Sequence, residues 1–124
     1  MKKVLVVDDS STMRRMIIAS LGDLKAVSFD EAGNGLEAIE RLALGPVHLV
    51  ILDLNMPDMH GVEVLQFLRS HNSYRNIPVI VLTTRSDEAS QAATLAAGAS
   101  LYLTKPFVPQ ALAERVRELL KEGL

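Results

Sequence analysis

Asp53 closes an aliphatic run, His48-Leu-Val-Ile-Leu52, and is followed by Leu54-Asn55-Met56-Pro57. An apolar run without polar alternation reads as a strand buried on both faces, from the middle of a parallel sheet. Proline at 57 forbids further pairing there, because it has no backbone N–H to offer. Asp53 therefore stands at the carboxyl end of a central strand, where open α/β sheets place their ligands. A carboxylate delivered to that edge is a candidate nucleophile or a hard-metal ligand. Taken alone, an aspartate there more simply caps the loop that follows. What decides is how the other strands end.

Val4-Leu-Val-Val7 stops abruptly at Asp8-Asp9, and Ile77-Pro-Val-Ile-Val-Leu82 is closed by Thr83-Thr84. Ser100 to Thr104 runs into Lys105-Pro106-Phe107, and a weaker, more polar run from Val27 to Ala32 carries Asp30-Glu31. Between these strands lie helical patterns. Ser10-Ser-Thr12 offers N-cap chemistry for a helix with Met13, Met16, Ile17, Ser20, Leu21 and Leu24 at helical spacing, Arg14 and Arg15 falling on its outer face. Asn34-Gly35 turns into a second helix marked by Leu36, Ile39, Leu42 and Ala43, which Gly45-Pro46 stops. Gly61 opens a third, with Val62, Val64, Leu65 and Leu68 apolar. Asp87 caps an alanine-rich fourth helix to Ala97 that Gly98 ends, and a fifth, about Pro109 to Lys121, carries Leu112, Val116, Leu119 and Leu120 inward.

Strict strand–helix alternation with short loops predicts a parallel sheet covered on both faces. Strands one, three and four are the most continuously apolar, so they belong at the centre, with two and five flanking. The expected fold is α/β, a flavodoxin-like (βα)5 three-layer sandwich of strand order 2-1-3-4-5, in one domain spanning residues 1–124.

That order brings Asp8, Asp9 and Asp53 into one cleft, with Thr83 and Lys105 on the next strands. Like charges at about 4 Å and an effective dielectric of 20 repel by roughly 4 kcal/mol per pair, an upper-range figure. A bound cation relieves this, and oxygen donors without His or Cys favour Mg²⁺. Lys105 offsets part of the remaining charge, and the Thr83 hydroxyl can donate to an oxyanion. The chemistry such a cleft supports is phosphoryl transfer to a carboxylate, with Asp53 as nucleophile and positioning and electrostatics doing most of the catalysis.

Composition narrows the classes. The 124 residues are 48% hydrophobic and 23% charged, an ordinary globular balance. Thirteen basic against fifteen acidic residues leave a net charge of −2, no footprint for nonspecific nucleic-acid binding. No cysteine is present, which removes disulfides, thiol catalysis and thiolate metal sites. Only four apolar residues separate Lys3 from Asp8, too few for a signal-peptide core, and no apolar run approaches membrane-spanning length. A soluble, cytoplasmic protein without nucleic-acid or membrane partners is expected.

Val-Val-Asp8-Asp9-Ser-Ser-Thr-Met-Arg-Arg, Leu-Asp53-Leu-Asn-Met-Pro, Leu-Thr83-Thr and Tyr102-Leu-Thr-Lys105-Pro-Phe together resemble the response-regulator receiver domain, in order, over essentially the whole chain. The likeness is greatest to single-domain receivers of the chemotaxis type. The resemblance implies that Asp53 is phosphorylated by a histidine kinase. It implies Mg²⁺ held by Asp9, Asp53 and the backbone carbonyl of Asn55, with Asp8 acting through water. Thr83 and Lys105 then contact the phosphoryl group, Tyr102 is the switch aromatic, and Lys105–Pro106 is a cis peptide. The implied output surface is the fourth helix, fifth strand and fifth helix, with Val108, Gln110 and Ala111 at its edge. It would meet a target such as a flagellar motor component. Asn55, Thr84 and Arg85 flank the path of an attacking water, and a phosphatase is a further implied partner. Such a protein is a phosphoacceptor rather than a turnover enzyme, and a monomer by default.

Other readings compete. A haloacid-dehalogenase-type phosphatase wants a second aspartate two residues after the nucleophile, where this chain has Asn55. A flavodoxin-type flavin binder wants a phosphate-cradling loop after strand one, where Asp8-Asp9 would repel the phosphate. A phosphorylation-independent adaptor usually lacks acidic or lysine members of the site, and here all are present. A receiver excised from a longer regulator or hybrid kinase stays open, although the short tail Lys121-Glu-Gly-Leu124 favours a stand-alone protein.

Overall fold

The computed structural model describes residues 1–56 and 60–122, so the expected break at Pro57 lies outside the described residues. Five strands alternate with five helices: β1 (Lys2–Val7), α1 (Ser11–Ser20), β2 (Val27–Ala32), α2 (Gly35–Leu44), β3 (Leu49–Leu52), α3 (Gly61–Ser70), β4 (Val79–Thr83), α4 (Glu88–Ala96), β5 (Leu101–Thr104) and α5 (Pro109–Glu122). All pairings are parallel, in the order β2-β1-β3-β4-β5 expected from the apolar content of the strands.

The strands separate two cores by simple alternation. Leu5, Val7, Val50, Leu52, Val79 and Val81 face Ala38 and Leu42 of α2 and Val64, Leu65 and Leu68 of α3. Val4, Val6, Leu49, Ile51, Ile80 and Leu82 face Ile17 and Leu21 near α1 and Leu112, Val116 and Leu120 of α5. Every residue of β3 and β4 is buried, which is why these strands lack a polar face. Strand β5, at the sheet's edge, is only partly covered.

Three helices start on side-chain caps, two of them at positions read as caps and the third at Asn34, read as part of a turn. Ser10, Asn34 and Asp87 accept from the backbone amides of Met13, Glu37 and Ser90. The chain leaves α4 through Gly98 at φ +112°, the left-handed region that glycine adopts without strain.

Some expectations shift. His48 precedes β3 and Ile77-Pro78 precede β4, while Thr83 is the last residue of its strand. On α2 the buried stripe is Gly35, Ala38 and Leu42, and Leu36 is 55% exposed, so the helix is turned from its expected face. Small residues at 35 and 38 allow close packing on the sheet, which outweighs burying one more leucine. Met16 is likewise exposed on α1. Arg14 is not a free outer-face residue: its guanidinium pairs with Glu31 at 2.8 Å and donates to the Asp8 carbonyl at 2.6 Å.

Candidate functional site

Register brings the strand ends together. Val7 lies beside Leu52, Leu52 beside Val81, and Thr83 beside Thr104, so the next residues on β1, β3 and β5 are Asp8, Asp53 and Lys105. Backbone bonds extend the ladder to these positions: the Asp53 amide donates to Val7 O at 2.9 Å and the Lys105 amide to Thr83 O at 2.8 Å. One carboxylate oxygen each from Asp8, Asp9 and Asp53 lies within 4.8 Å of the others. Asp8 and Asp53 are buried, whereas Asp9 faces solvent.

The carboxylates are differently occupied. Asp8 Oδ1 accepts from the Ser10 amide at 2.9 Å and its Oδ2 from Lys105 Nζ at 2.7 Å. Asp53 Oδ1 accepts from the Asn55 amide at 3.3 Å, and its Oδ2 lies 3.6 Å from Lys105 Nζ. Among the described residues Asp9 accepts no hydrogen bond and forms no ion pair, so its oxygens are free to bind. Burial pushes the Asp53 carboxyl above its ordinary value. Lys105, the Asn55 amide and the Thr83 hydroxyl oppose that rise, and the negative charge of Asp8 adds to it.

The donor set fits a small hard cation. It consists only of oxygens, one carboxylate is free, one is loosely held, and the one bound on both oxygens suits contact through a water. Asp30 and Glu31, read beside these acids at a strand end, are instead engaged on α2 and α1 by Arg41 at 3.8 Å and Arg14.

Behind the cleft, the Arg85 amide donates to Thr83 Oγ1 at 3.4 Å, and Tyr102 Oη donates to the Arg85 carbonyl at 2.8 Å. Tyr102 is partly buried against the α2–α3 side of the core. Asn55 Nδ2 reaches Thr84 Oγ1 at 3.4 Å across the mouth. The Lys105–Pro106 peptide bond is cis. A cavity of about 640 Å³ opens beside Asp9, between Asn55, His60, Glu63, Gln66 and Arg85.

Gly61 is a site residue that the sequence marked only as a helix start. A Cβ there would stand 2.3 Å from the Asp53 carbonyl oxygen and 2.7 Å from Leu54 Cα. Only a residue without a side chain lets α3 begin against the backbone that carries Asp53. A glycine eight positions after a strand-end aspartate was the available signal.

Residues 4–117 match the family described as "Response regulator receiver domain". The chain belongs to that family. The receiver is 42% identical over 119 residues to chemotaxis protein CheY1 of Helicobacter pylori, covering 95% of this chain and 96% of the relative. It is 41% identical to the CheY homolog of Campylobacter jejuni, over 98% and 94% of the two chains. Among solved structures it resembles the Francisella response regulator 1452 receiver domain, with TM-score 0.90, 29% identity and full coverage of both chains. Vibrio cholerae CheY4 superposes with TM-score 0.87 and 33% identity, over 96% of this receiver and 98% of that chain. Both curated relatives are named as chemotaxis proteins, and the acidic pocket of this receiver is compatible with a divalent metal. Among the described residues no helix is long and apolar enough to cross a membrane.

Proposed function

We propose that this receiver, as a single domain over 1–124, accepts a phosphoryl group on Asp53 from a histidine kinase and relays it as a change of surface. The observation that carries this reading is the meeting of buried Asp53 with Asp8, Asp9 and Lys105 at one sheet edge. An oxygen of Asp53 attacks phosphorus as the P–N bond of the phosphohistidine breaks. The bonding pair leaves with the imidazole nitrogen, which takes up a proton. Asp9, Asp53 and the Asn55 carbonyl would hold Mg²⁺, with Asp8 acting through water. The chemistry Mg²⁺ supplies there is neutralisation of the phosphoryl oxygens. Lys105, held 2.7 Å from Asp8 and 3.6 Å from Asp53, is aimed where those oxygens arrive. The protein is itself the acceptor and turns over no external substrate.

The experiment is labelling by acetyl phosphate, with and without Mg²⁺, of the parent and of Asp53→Asn. Mg²⁺-dependent label on the parent alone is the expected result. An unlabelled parent would leave a phosphorylation-independent adaptor, and equal label on the variant would move the acceptor elsewhere.

Switching follows from the bonds behind the cleft. A phosphoryl group adds about −1.5 to −2 charges and three acceptor oxygens. Thr83 is drawn to them and leaves the Arg85 amide, whose residue's carbonyl holds the Tyr102 hydroxyl. Tyr102 then turns inward and alters α4, β5 and α5, the face offered to a target. The chemotaxis names of the CheY relatives favour chemotaxis or motility; the same proposal takes a flagellar motor component as target, a phosphatase to reset the signal, and a cytoplasmic monomer as the working form.

Thr84 bonds Asn55 over the cleft mouth and narrows the approach of water to a phosphorylated Asp53. Thr84→Ala should therefore shorten the lifetime of the phosphorylated protein several-fold, measured as decay of label after the phosphodonor is removed. Equal or slower decay in the variant would sink the shielding role.

A further inference from the structure

The pole of the sheet opposite Asp53 carries its own cavity, of about 400 Å³, between the α1–β2 connection, the start of β1 and the last turns of α5. Leu24, Val27 and Leu120 supply an apolar floor, and Lys2, Lys25 and Arg117 stand around it. We propose that this cavity binds a small amphipathic anion, an alkyl or aryl carboxylate whose body lies on the leucines while the cations take its head.

Charge carries the argument. The rim holds those three cations against one acid, Asp23, a formal 3 − 1 = +2. Cations near helix carboxyl ends are ordinarily explained by the dipole, about −0.5 per helix. Helices α1 and α5 both end at this pole, so together they answer only about one charge. Among the described residues none of the three cations has a carboxylate within ion-pair distance. An apolar floor under surplus positive charge is complementary to an anion with an apolar body, and to neither a cation nor a bare hydrocarbon.

The wall is fixed, not a loose loop. Ala26 adopts φ +60°, a left-handed conformation that a non-glycine residue rarely takes. The strand ladder holds it there: the Lys2 amide donates to Ala26 O at 3.0 Å, and Lys2 and Val27 are register partners. The volume lies toward the lower end of ligand cavities, about 300–1,000 Å³, which suits a small molecule and excludes a folded segment. No residue of the Asp53 cleft lines it, so this site is independent of phosphoryl transfer.

The test is titration of octanoate into the full chain, followed by proton–nitrogen correlation spectra, with acetate and octylammonium in parallel. Saturable shifts confined to Leu24, Lys25, Val27, Arg117 and Leu120 are expected with octanoate. Acetate, lacking a body, and octylammonium, of the wrong sign, should produce none. Lys25→Glu combined with Arg117→Glu, both exposed positions, should weaken octanoate by at least about tenfold while acetyl phosphate labelling is unchanged. Shifts scattered over the surface or unsaturable would overturn the proposal. So would an equal response to acetate or octylammonium, or undiminished binding by the charge-reversed chain.

Discussion

Lys105→Met should slow labelling by acetyl phosphate about a hundredfold and lower stability by about 3 kcal/mol. Both effects have one origin. The lysine side chain is 11% exposed, and its ammonium lies between two buried carboxylates, 2.7 Å from Asp8 and 3.6 Å from Asp53. Removing the cation strands negative charge where water reaches poorly, and breaking such a pair costs about 3–5 kcal/mol. The lower end applies because Asp9 keeps one side of the cleft open to solvent. The kinetic loss has two parts. The incoming phosphoryl oxygens lose a positioned positive donor, and Asp53 loses the largest influence holding its pKa down. Burial and Asp8 then raise Asp53 with less opposition, so less of it is the nucleophilic carboxylate at a given pH. The labelling profile should accordingly move to higher pH, which simple loss of a phosphoryl contact would not produce. Lys105→Arg, which keeps the charge, should recover part of the stability. Rates measured across pH, together with urea midpoints, check this. An unchanged midpoint would show that the three groups are not coupled.

What the sequence made legible was whatever follows from periodicity. Uninterrupted runs such as Leu49–Leu52 and Val79–Leu82 can only be central strands of a covered parallel sheet, and their burial fixes the strand order. Because parallel strands all end at one edge, Asp8, Asp53, Thr83 and Lys105 were placed together by counting strand ends. Rotation about an element is harder to read than its existence. Leu36 and Met16 fit a helical stripe equally well from either side, and the face chosen depends on which small residues let a helix approach the sheet.

Contacts that depend on two distant backbones were not legible at all. The Arg14 guanidinium binds the carbonyl of Asp8 and the carboxylate of Glu31, tying α1 and β2 to the strand end that carries the site. Nothing in an alternating strand–helix pattern selects that arginine over Arg15. The need for glycine at 61 arises from where the peptide after Asp53 passes, a matter of ångströms that spacing does not contain. Sequence therefore marks candidate chemical groups more readily than the groups that hold them in place. Chemical groups are rare by type, whereas supporting groups are defined only by position.

The same cleft that suits phosphoryl transfer works against the stability of the metal-free protein, and Asp53→Asn should expose that conflict. Without divalent cations the variant should be more stable than the parent by about 1–2 kcal/mol at neutral pH, because a neutral amide replaces a desolvated charge beside Asp8. The pH dependence has a definite sign. The folded chain binds the Asp53 proton more tightly than the unfolded chain, whose carboxyl titrates near 3.8. Ionised Asp53 therefore destabilises the fold fully above its raised pKa, less as pH falls through that value, and not at all below 3.8, where both states are protonated. The advantage of the variant should hold constant above the raised pKa and shrink as pH falls from there towards 3.8, as read from urea midpoints in the presence of a chelator. Adding Mg²⁺ should then reverse the order. A ligand at a hundred times its dissociation constant stabilises the state that binds it by about 2.7 kcal/mol, and under the proposed function the amide removes one of the carboxylates that would hold the cation. If instead Mg²⁺ stabilised both proteins equally, Asp53 would not be a ligand. If the variant were the less stable protein without metal, the buried charge would not be the source of strain.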